Sequence, residues 1–424
     1  MRSTIAFLVL FTLASTAALG QGLPRGRPAD VGLAPDALES IAPKLRAYVE
    51  SGKLPGMVAV IARHGKTVYV NSIGTQTMPG PQATAVFRIF SMTKPITSAA
   101  AMQLVERGKL RLDDPVSKYI PSFAHVKVFA GGSAAQPQLR NPDRAMKVAD
   151  LMTHTSGLTY GIFDSTSVDS IYRGAGFFAP GWTSSTLSDS LARLPLKFSP
   201  GAQWNYGFST DVLGRVIEVA SGQTLDRFLD SALFKPLKMT MTGFRATPAM
   251  RERVIPIYLR GPDGKLVAQT PLLTPDYTTP GELLSGGGGL LSTPDDYLRF
   301  AQMLLNGGEL DGTRVLKRET VALMLQNHVP DAWVPLNIAE GWQIGRNGFG
   351  YGGAVRMDSE AAVPGSAGTF RWAGYGSTFF WVDPKANLIG MVWTQYMPVM
   401  EYWALDGDFQ RLVYAALADP RSVP

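Results

Sequence analysis

Strand-like segments at opposite ends of the chain constrain the fold more than any other feature. The run from Met57 to Ala62 is apolar at nearly every position. A strand with one wet face alternates apolar and polar residues, so this run predicts a sheet covered on both sides. It is followed, after His64-Gly65-Lys66, by a second β-like run from Thr67 to Ile73, which together read as a hairpin. Near the other end, Thr378 to Val382 and Leu388 to Trp393 flank the turn Asp383-Pro384-Lys385-Ala386-Asn387. Helical spacing of Leu38, Ile41, Leu45 and Val49 marks the stretch from Ala34 to Glu50, and a last helical pattern runs from about Tyr402 to Leu417. The simplest assembly is an α+β fold in which both chain ends build one antiparallel sheet flanked by helices.

Residues 21–108 and 250–424 then form the α/β part, and residues 109–249 an inserted, mainly helical lobe. Further helical candidates run from Lys94 to Arg107, Val148 to Met152, Thr210 to Ala220, Leu225 to Leu233 and Pro294 to Leu305. Stretches rich in glycine, proline and aromatics read as long loops at about 125–145, 160–205, 250–285 and 330–366.

The N-terminus narrows the setting. Arg2 precedes an apolar run from Ile5 to Phe11 and small residues up to Gly20, the layout of a secretory signal peptide over residues 1–20. The other reading is a short membrane anchor, but this run falls below the roughly 20 apolar residues that span a bilayer. A periplasmic or secreted protein without a stable membrane anchor is therefore expected. The chain has no cysteine, which rules out disulfides, thiol catalysis and thiolate metal sites. Its formal net charge of +6 is not gathered into a basic run, so nucleic acid is not an expected partner.

Serine, carboxylate and histidine chemistry remain. The four histidines are His64, His125, His154 and His328, and of these His154 alone would suit a Ser-His-acid triad. Its neighbours Thr153, Thr155, Ser156 and Gly157 read instead as a hydrogen-bonded turn at a helix end. No G-x-S-x-G elbow occurs; the nearest segment, Gly207-Phe208-Ser209-Thr210-Asp211, lacks the last glycine. No pair of histidines has metal-binding spacing. One serine has a different helper. In Phe90-Ser91-Met92-Thr93-Lys94-Pro95, Ser91 and Lys94 are three residues apart and share a helix face. Pro95 fits only in the first turn, which places Ser91 at the helix N-terminus. A lysine neutralised by burial could take the serine proton there. The bare pair also reads as a capping serine followed by a solvated lysine.

Wider context bears on that choice. Ser91-Met92-Thr93-Lys94, the segment Leu151 to Leu158, Pro200-Gly201-Ala202-Gln203-Trp204-Asn205-Tyr206, Leu284-Ser285-Gly286-Gly287-Gly288-Gly289-Leu290 and Trp372-Ala373-Gly374 resemble, in order, the landmarks of the serine β-lactamase and penicillin-binding protein superfamily. The likeness is strongest to the family VIII carboxylesterases, which share the class C β-lactamase fold. It implies that Ser91 is acylated, that Lys94 is the general base and that Tyr206 relays protons to the leaving group. It also implies an oxyanion hole made by the backbone N–H groups of Ser91 and Tyr375, and substrate contacts at Phe208, Trp372 and Gly374. Tyr206 would titrate as a pair with Lys94, whose ammonium favours the phenolate. As simple packing, Tyr206 would be a core aromatic and Trp372 a sheet residue.

Two departures separate relatives. The Y-x-N triplet is Tyr206-Gly207-Phe208 here, and the K-T-G triplet is Trp372-Ala373-Gly374. Both changes remove polar groups, and a buried carboxylate without its cation is costly. The resemblance therefore implies hydrolysis of small to medium neutral esters, with no metal or cofactor. Weak β-lactamase, D-amino-acid amidase, acyltransferase and non-catalytic ligand binding are the alternatives. Trp333 and Trp342 are further candidates for the mouth of the site.

Overall fold

The computed structural model describes residues 22–74, 80–269, 283–340, 342–358, 363–402 and 404–418. The expected signal segment lies outside these described residues. The main sheet contains β1 (Met57–Arg63), β2 (Lys66–Ile73), β3 (Asn347–Phe349), β4 (Ala354–Arg356), β5 (Phe370–Gly374), β6 (Thr378–Asp383) and β7 (Leu388–Trp393). Their order is β3-β4-β5-β6-β7-β1-β2, antiparallel throughout. The two ends of the chain meet where β1 pairs with β7, with Val58 opposite Trp393 and Arg63 opposite Leu388.

All seven residues of β1 are buried because successive side chains enter two different cores. Val58, Val60 and Ala62 join Phe380, Met391 and Trp393 on one face. Two helices cover that face, α2 (Thr93–Glu106) and α4 (Pro294–Leu305). Met57, Ala59 and Ile61 join Phe379, Trp381 and Val392 on the other face, beneath α1 (Ile41–Glu50) and α5 (Ala404–Ala415). A further helix, α3 (Ser209–Ser221), packs on α2 and carries the helical part of the molecule against the sheet domain.

The expected helix from Ala34 to Glu50 is broken into Pro35–Glu39 and α1 by a turn at Ser40. Pro43 has no N–H to offer the Glu39 carbonyl, so it fits only where a new helix begins. The stretches expected as loops contain short elements. Among them are the hairpin Val128–Gly132 with Pro137–Arg140, the helices Ser167–Gly174 and Ser184–Leu191, the hairpin Ile257–Arg260 with Leu266–Gln269, and the strands β3 and β4. Strands of three residues are too short to show a period of two, so pairing with a neighbour creates them.

Candidate active site

Ser91 stands on a single 3-10 turn, Phe90–Met92, that leads directly into α2. The strand before it, Phe87–Arg88, pairs with Leu291–Ser292. Phe90 has φ of 42°, a left-handed conformation that an aromatic residue adopts only when its surroundings impose it. The turn is held from outside: Tyr297 Oη donates to the Met92 carbonyl at 3.0 Å, and Leu290 N donates to Thr93 Oγ1 at 3.2 Å. Thr97 Oγ1 donates to the Gly286 carbonyl at 2.8 Å, which clamps the glycine-rich segment along α2.

Lys94 follows in the first turn of α2 and is completely buried. Its Nζ lies 3.0 Å from Ser91 Oγ, 3.0 Å from Tyr160 Oη and 2.7 Å from the Gly287 carbonyl oxygen. Burial disfavours the ammonium and pushes its pKa down to about 7, against the opposing pull of the Asp211 carboxylate. The solvated lysine considered from sequence is therefore not what this position holds.

Tyr206 approaches from the loop before α3. That loop is fastened by Gly201 N to the Thr155 carbonyl at 2.7 Å and by Asn205 N to the His154 carbonyl at 2.9 Å. Gly207 sits so close to the Leu158 carbonyl that a Cβ would be 2.4 Å from its oxygen. The Tyr206 hydroxyl accepts from Trp372 Nε1 at 3.3 Å. Lys94 Nζ is 4.6 Å from the centroid of the Tyr206 ring. Burial raises the phenol well above its ordinary value, opposed only in part by the Trp372 donor. The direction runs against the expected phenolate paired with Lys94, because desolvation is the largest influence on the phenol.

The edge of β5 closes the other side. A Cβ at Gly374 would fall 2.4 Å from the Ile89 carbonyl oxygen, so the missing side chain lets this strand come up against the Ser91 turn. Ser91, Trp372, Gly374 and Tyr375 line one open cleft, of about 1240 Å³ including its mouth. Phe208 and Trp342 also line it, whereas Trp333 is not among the lining residues. Phe208 stands in a nest of rings, with centroids 4.6 Å from Tyr160, 5.4 Å from Phe177 and 5.6 Å from Phe178. Phe163 bridges the mouth, 5.7 Å from Tyr206, 5.9 Å from Trp342 and 6.4 Å from Tyr375.

Two other polar residues find structural places. His154 is fully buried, with its Nδ1 accepting from Gly207 N at 3.4 Å and its ring 4.8 Å from that of Tyr206. Burial, aided by Lys94, keeps its pKa well below the usual histidine value. Ser209 of the G-F-S-T-D segment is also fully buried and shares a 2.8 Å hydrogen bond with Ser156 Oγ. Sequence reasoning missed Tyr160 and the place of Asp211. Asp211 is buried, accepts from Ser285 Oγ and from Gly287 N at 3.2 Å, and meets Tyr160 Oη at 3.4 Å. The available signal was an acidic residue beside the apolar stripe Val212, Leu213, Val216 and Ile217.

A buried lysine against a serine on a strained turn, with a tyrosine opposite, is a site for covalent acyl chemistry. A family model described as beta-lactamase matches residues 41–415. The chain belongs to the beta-lactamase family. Among its relatives, Protein Rv1367c of Mycobacterium tuberculosis is 35% identical over 363 residues, covering 84% of this chain and 89% of that one. The esterase EstB of Burkholderia gladioli is 32% identical over 380 residues, covering 82% and 89%. The solved structure of EstCE1, a hydrolase with promiscuous acyltransferase activity, superimposes with a TM-score of 0.76 at 26% identity, covering 89% of this chain and 99% of that one. The chain is a serine hydrolase of this family.

Proposed function

We propose that the protein is an exported carboxylesterase that cleaves small to medium neutral esters through an acyl-enzyme on Ser91. The observation that carries this reading is the fully buried Lys94 amine 3.0 Å from Ser91 Oγ. As a neutral amine Lys94 takes the serine proton while Oγ attacks the ester carbonyl. The N–H groups of Ser91 and Tyr375 receive the oxyanion. Tyr206, neutral and held by Trp372 Nε1, gives its proton to the departing alkoxide. Water then enters and the same groups release the acid.

The lining supports neutral substrates. Among the described residues that line the cleft there is no arginine or lysine. By the motif resemblance Trp372 stands where β-lactamases carry the cation for their substrate's carboxylate, so an anionic lactam would be buried without a partner. Acyl transfer to an alcohol is the second reading, favoured by the apolar mouth around Phe163 and Trp342 and by the likeness to EstCE1, whose hydrolase activity is accompanied by promiscuous acyl transfer.

The first test compares wild type with Ser91→Ala on p-nitrophenyl acetate, butyrate and octanoate, with nitrocefin alongside. Ester turnover lost in the variant, and faster than nitrocefin turnover in wild type, is expected; an active Ser91→Ala sinks the nucleophile, and faster nitrocefin turnover reverses the substrate order. Added short alcohols report the second reading through the yield of transferred ester. Export is tested by sequencing the N-terminus of secreted or periplasmic protein, where loss of residues 1–20 is expected and an intact Met1 rejects it.

A further inference from the structure

The neutral amine required of Lys94 has two N–H bonds and one lone pair, yet it meets three partners. The Gly287 carbonyl can only accept, so it takes one N–H. The Tyr160 hydroxyl can accept or donate, and which it does decides where the lone pair points. Its proton is directed to Asp211, whose Oδ2 lies 3.4 Å away. Asp211 is arranged as an ionised acceptor, since Ser285 Oγ–H and Gly287 N–H both donate to its Oδ1. Tyr160 Oη, with its proton committed, accepts the second N–H of Lys94 at 3.0 Å. The third position faces Ser91 Oγ.

We infer that Asp211 is a positioning residue that aims the lone pair of Lys94 at Ser91 by holding the hydroxyl proton of Tyr160. The inference rests on the reading of Lys94 as the general base. Asp211 thus anchors both of the lysine's other partners, Tyr160 through Oδ2 and the Gly287 peptide through Oδ1. Gly287 makes room for this: a Cβ there would lie 2.3 Å from Asp211 Oδ2 and 2.8 Å from Tyr160 Oη. The titratable groups around Lys94 are Tyr160, Tyr206, His154 and Asp211. Burial keeps the two phenols and the imidazole uncharged. It also raises the Asp211 carboxyl, opposed by Lys94 and by the donors Ser285, Gly287 and Tyr160, and those donors hold Asp211 as the acceptor facing the amine.

Asp211→Asn reverses the device. The Gly287 N–H and the Ser285 hydroxyl orient the new amide with its carbonyl at the Oδ1 position, which leaves the NH₂ facing Tyr160. That NH₂ donates to the Tyr160 oxygen, and the phenol proton turns onto the lysine lone pair. The test follows kcat/KM for p-nitrophenyl butyrate against pH, and the rate of fluorophosphonate labelling, in wild type, Asp211→Asn, Tyr160→Phe, the double variant and Lys94→Ala. Asp211→Asn is expected to lower the plateau about 100-fold, the scale of misdirected general-base catalysis. Its acid limb moves to lower pH, because removing a negative neighbour makes the ammonium easier to deprotonate. Adding Tyr160→Phe recovers roughly tenfold of the loss, since phenylalanine has no proton to place on the amine.

A wild-type plateau in Asp211→Asn, or a loss that Tyr160→Phe leaves unrelieved, overturns the inference. If Asp211→Asn fails to fold by thermal melting, Tyr160→Phe alone decides: a loss below about tenfold is expected for one hydrogen bond, and a loss as deep as that of Lys94→Ala overturns it. An active Lys94→Ala sinks the general-base reading itself. An inactive Lys94→Ala beside a fully active Asp211→Asn sinks only the role of Asp211.

Discussion

At the scale of single residues, the site is a contest between desolvation and charge. Lys94, Tyr206 and His154 are all buried within one cluster, and burial drives each toward its neutral form. For a lysine this means a lowered pKa and for a tyrosine a raised one, so the same physics leaves one able to accept a proton and the other able to give one, as the proposed mechanism requires. The sign fixes the pH profile. Only the neutral amine accepts a proton, so kcat/KM is expected to fall as pH drops through about 7, the value to which burial pushes Lys94. A lysine at its ordinary value would put that limb near about 10.4 instead. Measuring kcat/KM for p-nitrophenyl butyrate from mildly acidic to mildly alkaline pH distinguishes the two, and a limb at the alkaline value contradicts the buried base.

At the scale of elements, close approach decides where glycine stands. In β7, Gly390 lies opposite Trp381 of β6 and Ile61 of β1, in the middle of the sheet. Glycine weakens a strand, yet here a Cβ would fall 2.3 Å from the Trp381 ring, which lies across the position. Gly390→Ala forces the indole of a fully buried tryptophan to move. The expected outcome is a loss of about 1–3 kcal/mol in urea unfolding, the range for overpacking a core. A variant as stable as wild type would mean that the indole repacks freely. Elsewhere in the chain the same requirement serves the site rather than the core, as where Gly374 brings β5 to the Ser91 turn.

At the scale of the whole molecule, the cleft is walled from both sides. Rings from the helical part, including Phe163, Phe177, Phe178 and Phe208, face Trp342, Trp372 and Tyr375 from the sheet domain. A wall of this kind selects by volume and apolarity, with specificity of about 1–3 kcal/mol per methylene at most. Phe208→Ala opens the nest beside Ser91 and is expected to raise the octanoate-to-acetate ratio of kcat/KM roughly tenfold. An unchanged ratio would place the acyl chain elsewhere in the cleft.

The apolar run of β1, the hairpin after it and the pair of strands near the C-terminus determined by themselves that both chain ends share one covered sheet. A six-residue run with no polar position, Met57 to Ala62, can be satisfied in few other ways. The spacing of Ser91, Lys94 and Pro95 likewise determined a serine and a lysine side by side where a helix begins, although the serine stands on a 3-10 turn just before α2 rather than on the helix itself. Periodicity said nothing of β3 and β4, which are too short to have one, nor of the break before α1, which needs both Ser40 and Pro43 in place. Only the tertiary structure decided the burial of Tyr206 and the meeting of Tyr160, Asp211 and Gly287 around Lys94. Those depend on burial and on contacts between segments far apart in the chain, and neither quantity is written in local order.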